Sequence, residues 1–409
     1  MTRNVIAIIG IFLCTTLGWI ILGATIEKRT FAAGSGLGPR VASSWGSPQQ
    51  QTPPIAVSER VMTKQVREVV DGQNVARVVE ETITTPLAIE RSRVRVGLHL
   101  EQRKKGLLWF PTYRVAFHGD YVFRNTTASD DVTLRLAFPA ADAIYDDLMF
   151  VVDGRPIRTN VVNGVVAASL RVPVGGIVRL ETGYRSQGLS TWSYAFGDGV
   201  SQVRDFQLDM QTDFAAIDFP SGTLSPTVKS RAGDGWKLAW RYRNLVTGSR
   251  IGMEMPEKLQ PGPLAGRISY FAPVSLLFFF FLMFIITTLR RIDLHPMHYF
   301  FLAASFFSFH LLLGYLVDHI SIHLALVIAS IVSLFLVVSY LRIAIGPRFA
   351  YVEAGLTQLV YLVGFSYAFF LDGFTGLAIT IGAVVTLFVV MQLTARVDWQ
   401  SKQTAAATA

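Results

Sequence analysis

A single cysteine, Cys14, occurs in 409 residues, and it lies inside an apolar run. No intrachain disulfide can staple an exported domain, which must then be held by its own core, and thiolate zinc or redox centres are ruled out. Charge is scarce as well. Only 16% of residues are Asp, Glu, Lys or Arg, against 51% hydrophobic, which is the balance of an integral membrane protein. Basic residues are scarcest at the two ends: seven of 37 Lys and Arg lie outside residues 27–267. Catalytic signatures are missing too. There is no GxGxxG, no GxxxxGK[ST], no GxSxG and no HExxH, so nothing points to a dinucleotide site, a P-loop, a nucleophile elbow or a zincin helix.

What the ends do contain is six apolar runs: Val5–Ala24, Ile268–Thr288, Met297–Val317, His323–Tyr340, Ala354–Leu371 and Phe374–Leu393. As helices, each is about long enough to cross a hydrocarbon core of roughly 30 Å. The seven basic residues flank every second turn: Arg3, then Arg290 and Arg291, then Arg342 and Arg348, then Arg396 and Lys402. The other two short loops carry Asp318 and Asp372 and no Lys or Arg. By the positive-inside rule both termini are cytoplasmic and residues 27–267 lie outside. The first run is longer than a secretory h-region and no clear small-x-small cleavage site follows it, so it reads as an uncleaved anchor.

The expected organisation is an N-terminal transmembrane anchor (1–26), a flexible tether (27–54), a β domain (55–267), a five-helix membrane domain (268–395) and a cytoplasmic tail (396–409). The fold class is a membrane protein of α+β type, with six transmembrane helices and an all-β extracytoplasmic domain of sandwich or open-barrel form. The tether expectation rests on Gly34, Gly36, Gly38 and Pro39, which argue against a continuous helix. From Ile55 onward the pattern has period two. Val132, Leu134, Leu136 and Phe138 alternate with polar or small residues. So do Phe206, Leu208 and Met210, and Trp236, Leu238, Trp240 and Tyr242. Such alternation predicts antiparallel sheets with one buried face, and Asp71-Gly72 and Asn163-Gly164 predict hairpins. The outer segment holds 30 Lys and Arg against 24 Asp and Glu. That excess suits anionic headgroups or envelope polysaccharide, and it also suits scattered solvated charge.

One outer stretch, Arg103 to Tyr113, sets Lys104 and Lys105 before the aromatic pair Trp109 and Phe110. It reads either as a finger contacting the membrane surface or as a buried strand with a basic edge. In the membrane part, Asp318, His319 and His323 are candidate zinc ligands, and a zinc-bound water would be a hydrolytic nucleophile. Against this, the same residues with Ser321 make an ordinary polar loop with helix caps. His310 is an intramembrane ionisable group that calls for a partner, expected on a neighbouring helix. Glu353, Thr357 and Tyr361 share a face, and Gln358 adds an amide; these are interhelical glue or a pathway lining.

The run Ile251–Leu259, then Asp293-Leu-His-Pro-Met-His-Tyr299, Tyr315-Leu-Val-Asp-His319 and Leu393-Thr-Ala-Arg-Val-Asp-Trp399 resemble the CreD family of inner membrane proteins. Lys105–Tyr113 resembles it more weakly. The resemblance implies a bacterial inner membrane, a periplasmic β domain and a link to cell envelope integrity, with no reaction and no cofactor. The expected partners are the lipid bilayer and an envelope polymer or periplasmic protein, not nucleic acid. Two rival expectations are a membrane metallohydrolase of a lipid or lipid-linked precursor, and a small-solute transporter or sensor in which His310 and Asp318 titrate.

Overall fold

The computed structural model describes residues 2–70, 73–105, 108–197, 199–371 and 373–395. It divides into two compact units, residues 1–35 with 259–409, and residues 36–258.

The first unit is helical. Helix α1 (Thr2–Trp45) is followed, after the β unit, by α2 (Pro261–Arg290), α3 (Pro296–Leu316) and α4 (Ile322–Ala344); a last helix spans Thr375–Thr394. These five helices are long and apolar enough to cross a membrane. The sixth expected run is helical as well, but residues 349–370 are broken into π, α and 3-10 turns. Pro296 opens α3, where its missing N–H costs nothing, and His295 caps it by accepting from the Met297 N–H. Ser321 caps α4. Glycines set the close approach of α1 to α2. Gly266 faces Ile26 and the Gly23 carbonyl, and Gly262, one turn earlier, faces Thr30. Without a hydrophobic drive between helices in lipid, such small-residue contacts let backbones meet and dispersion accumulate.

The tether expectation is corrected: α1 runs unbroken through Gly34, Gly36, Gly38 and Pro39 to Trp45. Weak propensity yields to tertiary packing. Val41 is buried, the Arg103 guanidinium lies 3.3 Å over the Trp45 ring, and the Lys105 ammonium donates to the Arg40 carbonyl. Gly46, at φ 125°, ends the helix where a Cβ would collide with the Gln187 carbonyl.

The second unit is β. Its strands, in chain order, are β1 (Gln49–Gln51), β2 (Ile55–Val70), β3 (Gln73–Pro86), β4 (Ala88–Leu100), β5 (Arg103–Lys105) and β6 (Leu108–Phe110). Then come β7 (Thr112–Arg124), β8 (Asp131–Ala137), β9 (Tyr145–Val152), β10 (Arg155–Pro156), β11 (Asn160–Val162) and β12 (Val165–Arg171). The last are β13 (Ile177–Leu189), β14 (Thr191–Tyr194), β15 (Ser201–Thr212), β16 (Val228–Ala232), β17 (Gly235–Thr247) and β18 (Ile251–Glu254). An eight-stranded sheet, β10-β9-β13-β7-β4-β15-β17-β16, and a five-stranded sheet, β11-β12-β8-β2-β3, contribute to one buried core. The alternating positions behave as expected: Val132, Leu134 and Leu136 on β8, Phe206, Leu208 and Met210 on β15, and Leu238 and Trp240 on β17 are all buried. The Asn163-Gly164 turn joins β11 to β12 with both residues at positive φ, as a type I′ hairpin requires. Strands β2 and β3 pair along their length, and the Asp71-Gly72 turn between them lies outside the described residues.

Two pairings are parallel rather than antiparallel, β4 with β15 and β1 with β14. The second belongs to a small sheet, β1-β14-β18, that sets the first and last strands of the domain on either side of one strand. Core tyrosines tie into it. The Tyr113 hydroxyl donates to the Thr191 carbonyl at 2.7 Å, Tyr184 donates to Gln51 at 2.6 Å, and Tyr121 and Tyr194 share a hydroxyl contact of 3.2 Å.

Trp192 of β14 is fully buried. Trp192→Ala is expected to cost about 3–5 kcal/mol in urea unfolding of the β unit. Trp192→Phe should cost far less, since the indole N–H it removes has no acceptor. Burial raises the pKa of Tyr113, Tyr121, Tyr184 and Tyr194, and pushes Tyr145 up to about 12. Folded values above the unfolded value of about 10 mean a contribution intact below that pH and lost as pH climbs through the folded values. Circular dichroism should therefore show alkaline unfolding that begins above about pH 10.

Candidate functional site

Two sets of polar residues were singled out by sequence, and the structure treats them differently. In the helical unit Asp318, His310, Glu353 and Gln358 are drawn into local pairings. Asp318, just past the end of α3, meets Arg29 of α1 at 3.1 Å. A second guanidinium nitrogen of Arg29 donates to the Gly314 carbonyl at 2.7 Å, and the group lies 5.3 Å from the Tyr315 ring centre. Arg29 therefore neutralises the carboxylate and fills an orphan carbonyl at the helix C-terminus, where positive charge is favoured. Sequence reading passed over Arg29 because it fell in the assumed tether. The signal was there: an isolated acid at a membrane boundary needs a cation.

The three candidate zinc ligands are not brought together. Asp318 is engaged by Arg29, and the His323 ring stacks on Phe370 at 5.0 Å. Among the described residues no three His, Cys, Asp or Glu side chains are placed to hold a metal ion. His310 is buried, and its Nδ1 lies 2.9 Å from the Phe306 carbonyl. Its expected partner on a neighbouring helix is thus replaced by its own helix's preceding turn. Trp19 of α1 and Phe309 pack edge-on against the imidazole.

Glu353 is buried and forms an ion pair with Arg290 at the end of α2. Thr357 donates back to the Glu353 carbonyl, and the Tyr361 hydroxyl meets Thr386 of the last helix at 2.6 Å. Gln358 donates to Ser333 at 2.8 Å, and Ser333 donates to the Ser305 carbonyl at 2.6 Å. This chain links residues 349–370 to α4 and α3. Each interhelical bond of this kind contributes about 0.6–2 kcal/mol.

In the β unit, Lys104, Lys105, Trp109 and Phe110 lie on the two-stranded hairpin β5–β6. Lys104 is exposed, while Trp109 and Phe110 are half-buried. The hairpin grips both chain connections of the domain. On the entry side Arg103 stacks on Trp45 and Lys105 binds the Arg40 carbonyl. On the exit side Gln102 donates to the Pro256 carbonyl at 2.6 Å, and the Lys258 ammonium sits 4.0 Å over the Trp109 ring. Each cation–aromatic contact is worth about 0.5–2 kcal/mol. Arg103 and Lys258 thus each cover an indole, with Lys105 held beside the first. The hairpin's docking partners come from two separate segments, residues 40–45 and 256–258, which no local sequence pattern connects.

Residues 232–400 match the model of a known family, "Inner membrane protein CreD". Over that part the chain is similar to that family. The match takes in β17, β18 and the helices from α2 onward. No curated protein matches the chain in sequence. Among solved structures, one likeness is to a Legionella pneumophila protein provisionally described as nutrient binding, at 10% identity and TM-score 0.37, covering 64% of this chain and 85% of that one. Another is to an M1 zinc metallopeptidase of Deinococcus radiodurans, at 12% identity and TM-score 0.25, covering 42% of each chain. At these scores neither likeness bears on function.

Asp318→Ala is expected to lower the thermal stability of the detergent-solubilised protein and leave its metal content unchanged. Both partners keep some solvent, so a double-mutant cycle with Arg29→Met should return a coupling of about 1 kcal/mol, below the 3–5 kcal/mol of a fully buried pair. A coupling near zero, or zinc lost with Asp318, would contradict this assignment.

Proposed function

We propose that this protein is a non-enzymatic inner-membrane component that supports envelope integrity, with both termini cytoplasmic and its β unit held in the periplasm. The observation that carries the proposal is the closure of the β unit: β1 and β18 flank β14, and the hairpin β5–β6 grips the segments just outside them. A domain closed this way is a rigid head whose two connections leave side by side. The placement of Arg3, Arg290, Arg291, Arg342 and Arg348 supports the orientation. The match to an inner membrane protein family supports the compartment.

The hairpin carries the membrane-surface part of the proposal. Lys104 and Lys105, with Phe110 and with Trp109 beneath Lys258, would meet anionic headgroups, where each basic residue contributes at most about 1 kcal/mol. The metallohydrolase reading gains no support from the positions of Asp318, His319 and His323.

Orientation is tested by thiol labelling in a Cys14→Ser background. Single cysteines at Lys104 and Lys229 should react with an impermeant reagent in intact spheroplasts, and one at Ile292 only after lysis. The reverse pattern would put the domain in the cytoplasm and sink the proposal. An environment-sensitive dye on Lys104→Cys, in nanodiscs, should shift with anionic lipid and revert in high salt; an identical signal in neutral lipid would remove the surface contact.

A further inference from the structure

The outward face of the eight-stranded sheet is not flat. Two adjoining concavities of about 490 and 570 Å³ open on it, and both are lined by Gly97, Ala116 and Gln211. The strand register explains them. Gly97 on β4 lies opposite Ala116 on β7 and Gln211 on β15. The row continues to Arg185 on β13 at one side and Lys237 on β17 at the other. Small side chains on the central strands, with long basic ones outside them, leave a dip. In the next row the long side chains are central, Arg95 opposite His118 and Asp209, with Ala239 and Gly183 outside them, so that row walls the dip on one side. The result is one trough crossing the strands.

Its charges do not cancel. Arg95, Arg114, Arg185, Lys237 and Arg241 line it, against Asp146, Asp209 and Asp213. Asp213 is already occupied by His99. Arg114 pairs with Glu101 at 2.8 Å and Arg185 with Asp147 at 3.2 Å, both outside the trough lining. Arg95, Lys237 and Arg241 are exposed and have no ion-pair partner among the described residues. Unspent positive charge over a floor of small residues favours an anion on a flat, extended scaffold. A peptide adding as a strand is disfavoured, because the trough lies mid-sheet where both backbone edges are already paired. Sugar rings fit better: their hydroxyls suit Gln211 and Asp209, and their acidic groups suit the guanidinium and ammonium groups.

We propose that this trough binds an extended anionic polysaccharide, one whose sugar rings carry carboxylate or phosphate. The proposal rests on the reading of the β unit as a periplasmic head and names what that head takes hold of.

The test uses the full-length protein in detergent, with polygalacturonate as the carboxylate probe and phosphorylated dextran as the phosphate probe. Neutral dextran and polyglutamate, a polyanion without sugar, are controls. Binding is expected to one or both acidic polysaccharides and to neither control, and the stronger of the two identifies the acidic group. Gly97→Phe fills the floor and leaves every charge in place; a Cβ at Gly97 meets Ala116 at 3.8 Å, an ordinary contact. Lys237→Glu with Arg241→Glu reverses the rim and leaves the floor open. Each should weaken binding by about tenfold or more, the first by blocking the floor and the second by removing charge-assisted hydrogen bonds. Arg155→Glu with Arg158→Glu, outside the trough, should leave binding unchanged. Equal binding of polyglutamate, equal loss in the Arg155 and Arg158 variant, or binding that survives both trough variants would overturn the proposal, as would no binding to either acidic polysaccharide. The thiol-labelling outcome is independent: a failed trough with the expected labelling leaves the periplasmic head standing, and reversed labelling removes that head whatever the trough binds.

Discussion

The first and last strands of the β unit meet on one short strand, and that contact is the constraint around which the unit is built. Strand β14 carries β1 on one side and β18 on the other, Gln49 and Met253 both lying opposite Trp192. Two strand spacings of about 4.8 Å separate them. The clasp is small, so it borrows stability from the core: Trp192 and Tyr194 are buried in it, and the tyrosine hydroxyls of β7 and β13 reach the backbone of β14 and the side chain of β1. Hydrogen bonds inside a core are worth more than the same bonds in water, and an unmade one costs more. The buried hydroxyls thus fix one arrangement of the domain's ends rather than merely filling space.

The helical unit obeys a different rule. Lipid offers no hydrogen bonds, so each polar group must find its partner within the protein. Arg29 with Asp318, Arg290 with Glu353, and the Gln358–Ser333–Ser305 chain do this at three places. None of these gathers a reactive constellation. They fasten helices to one another, and Arg29 does so through α1, the helix that leads to the β unit. The irregular turns over residues 349–370 belong to the same economy. Widened turns free backbone carbonyls, and Ser275 of α2 bonds to one of them, that of Tyr361.

Much of this was legible in the sequence, and the failures have physical causes. Alternation at Val132–Leu136, Phe206–Met210 and Leu238–Trp240 is a direct image of a two-sided sheet, and Asn163-Gly164 is the chemistry of a type I′ turn. The helical runs follow from bilayer thickness. The clasp strands were invisible: β1 and β14 are three and four residues long, too short for any period to emerge, and their pairing spans well over a hundred residues. The extension of α1 through Pro39 was lost because local propensity was weighed without the hairpin that packs on Trp45. The docking of Lys104–Phe110 could not be seen because Trp45, Pro256 and Lys258 come from opposite ends of the domain. The trough escaped notice for a related reason. Gly97 and Ala116 are unremarkable in their own strands, and only the register sets them side by side.

The division of the family match bears on how far relatives can inform the ligand. It begins at residue 232 and so includes the exit strands, the clasp's β18 and the helices from α2 onward. Strands β4, β7, β13 and most of the trough floor lie before it; Lys237 and Arg241 lie within it. The matched part therefore includes the apolar helices from α2 onward and one rim of the trough, whereas the floor and the opposite rim are read from this chain's own residues. A floor made by a glycine facing an alanine is easily changed, since one larger side chain at either position would close it. A ligand preference built this way can vary without disturbing the core beneath, because the side chains that shape the trough point away from the buried face of the same strands.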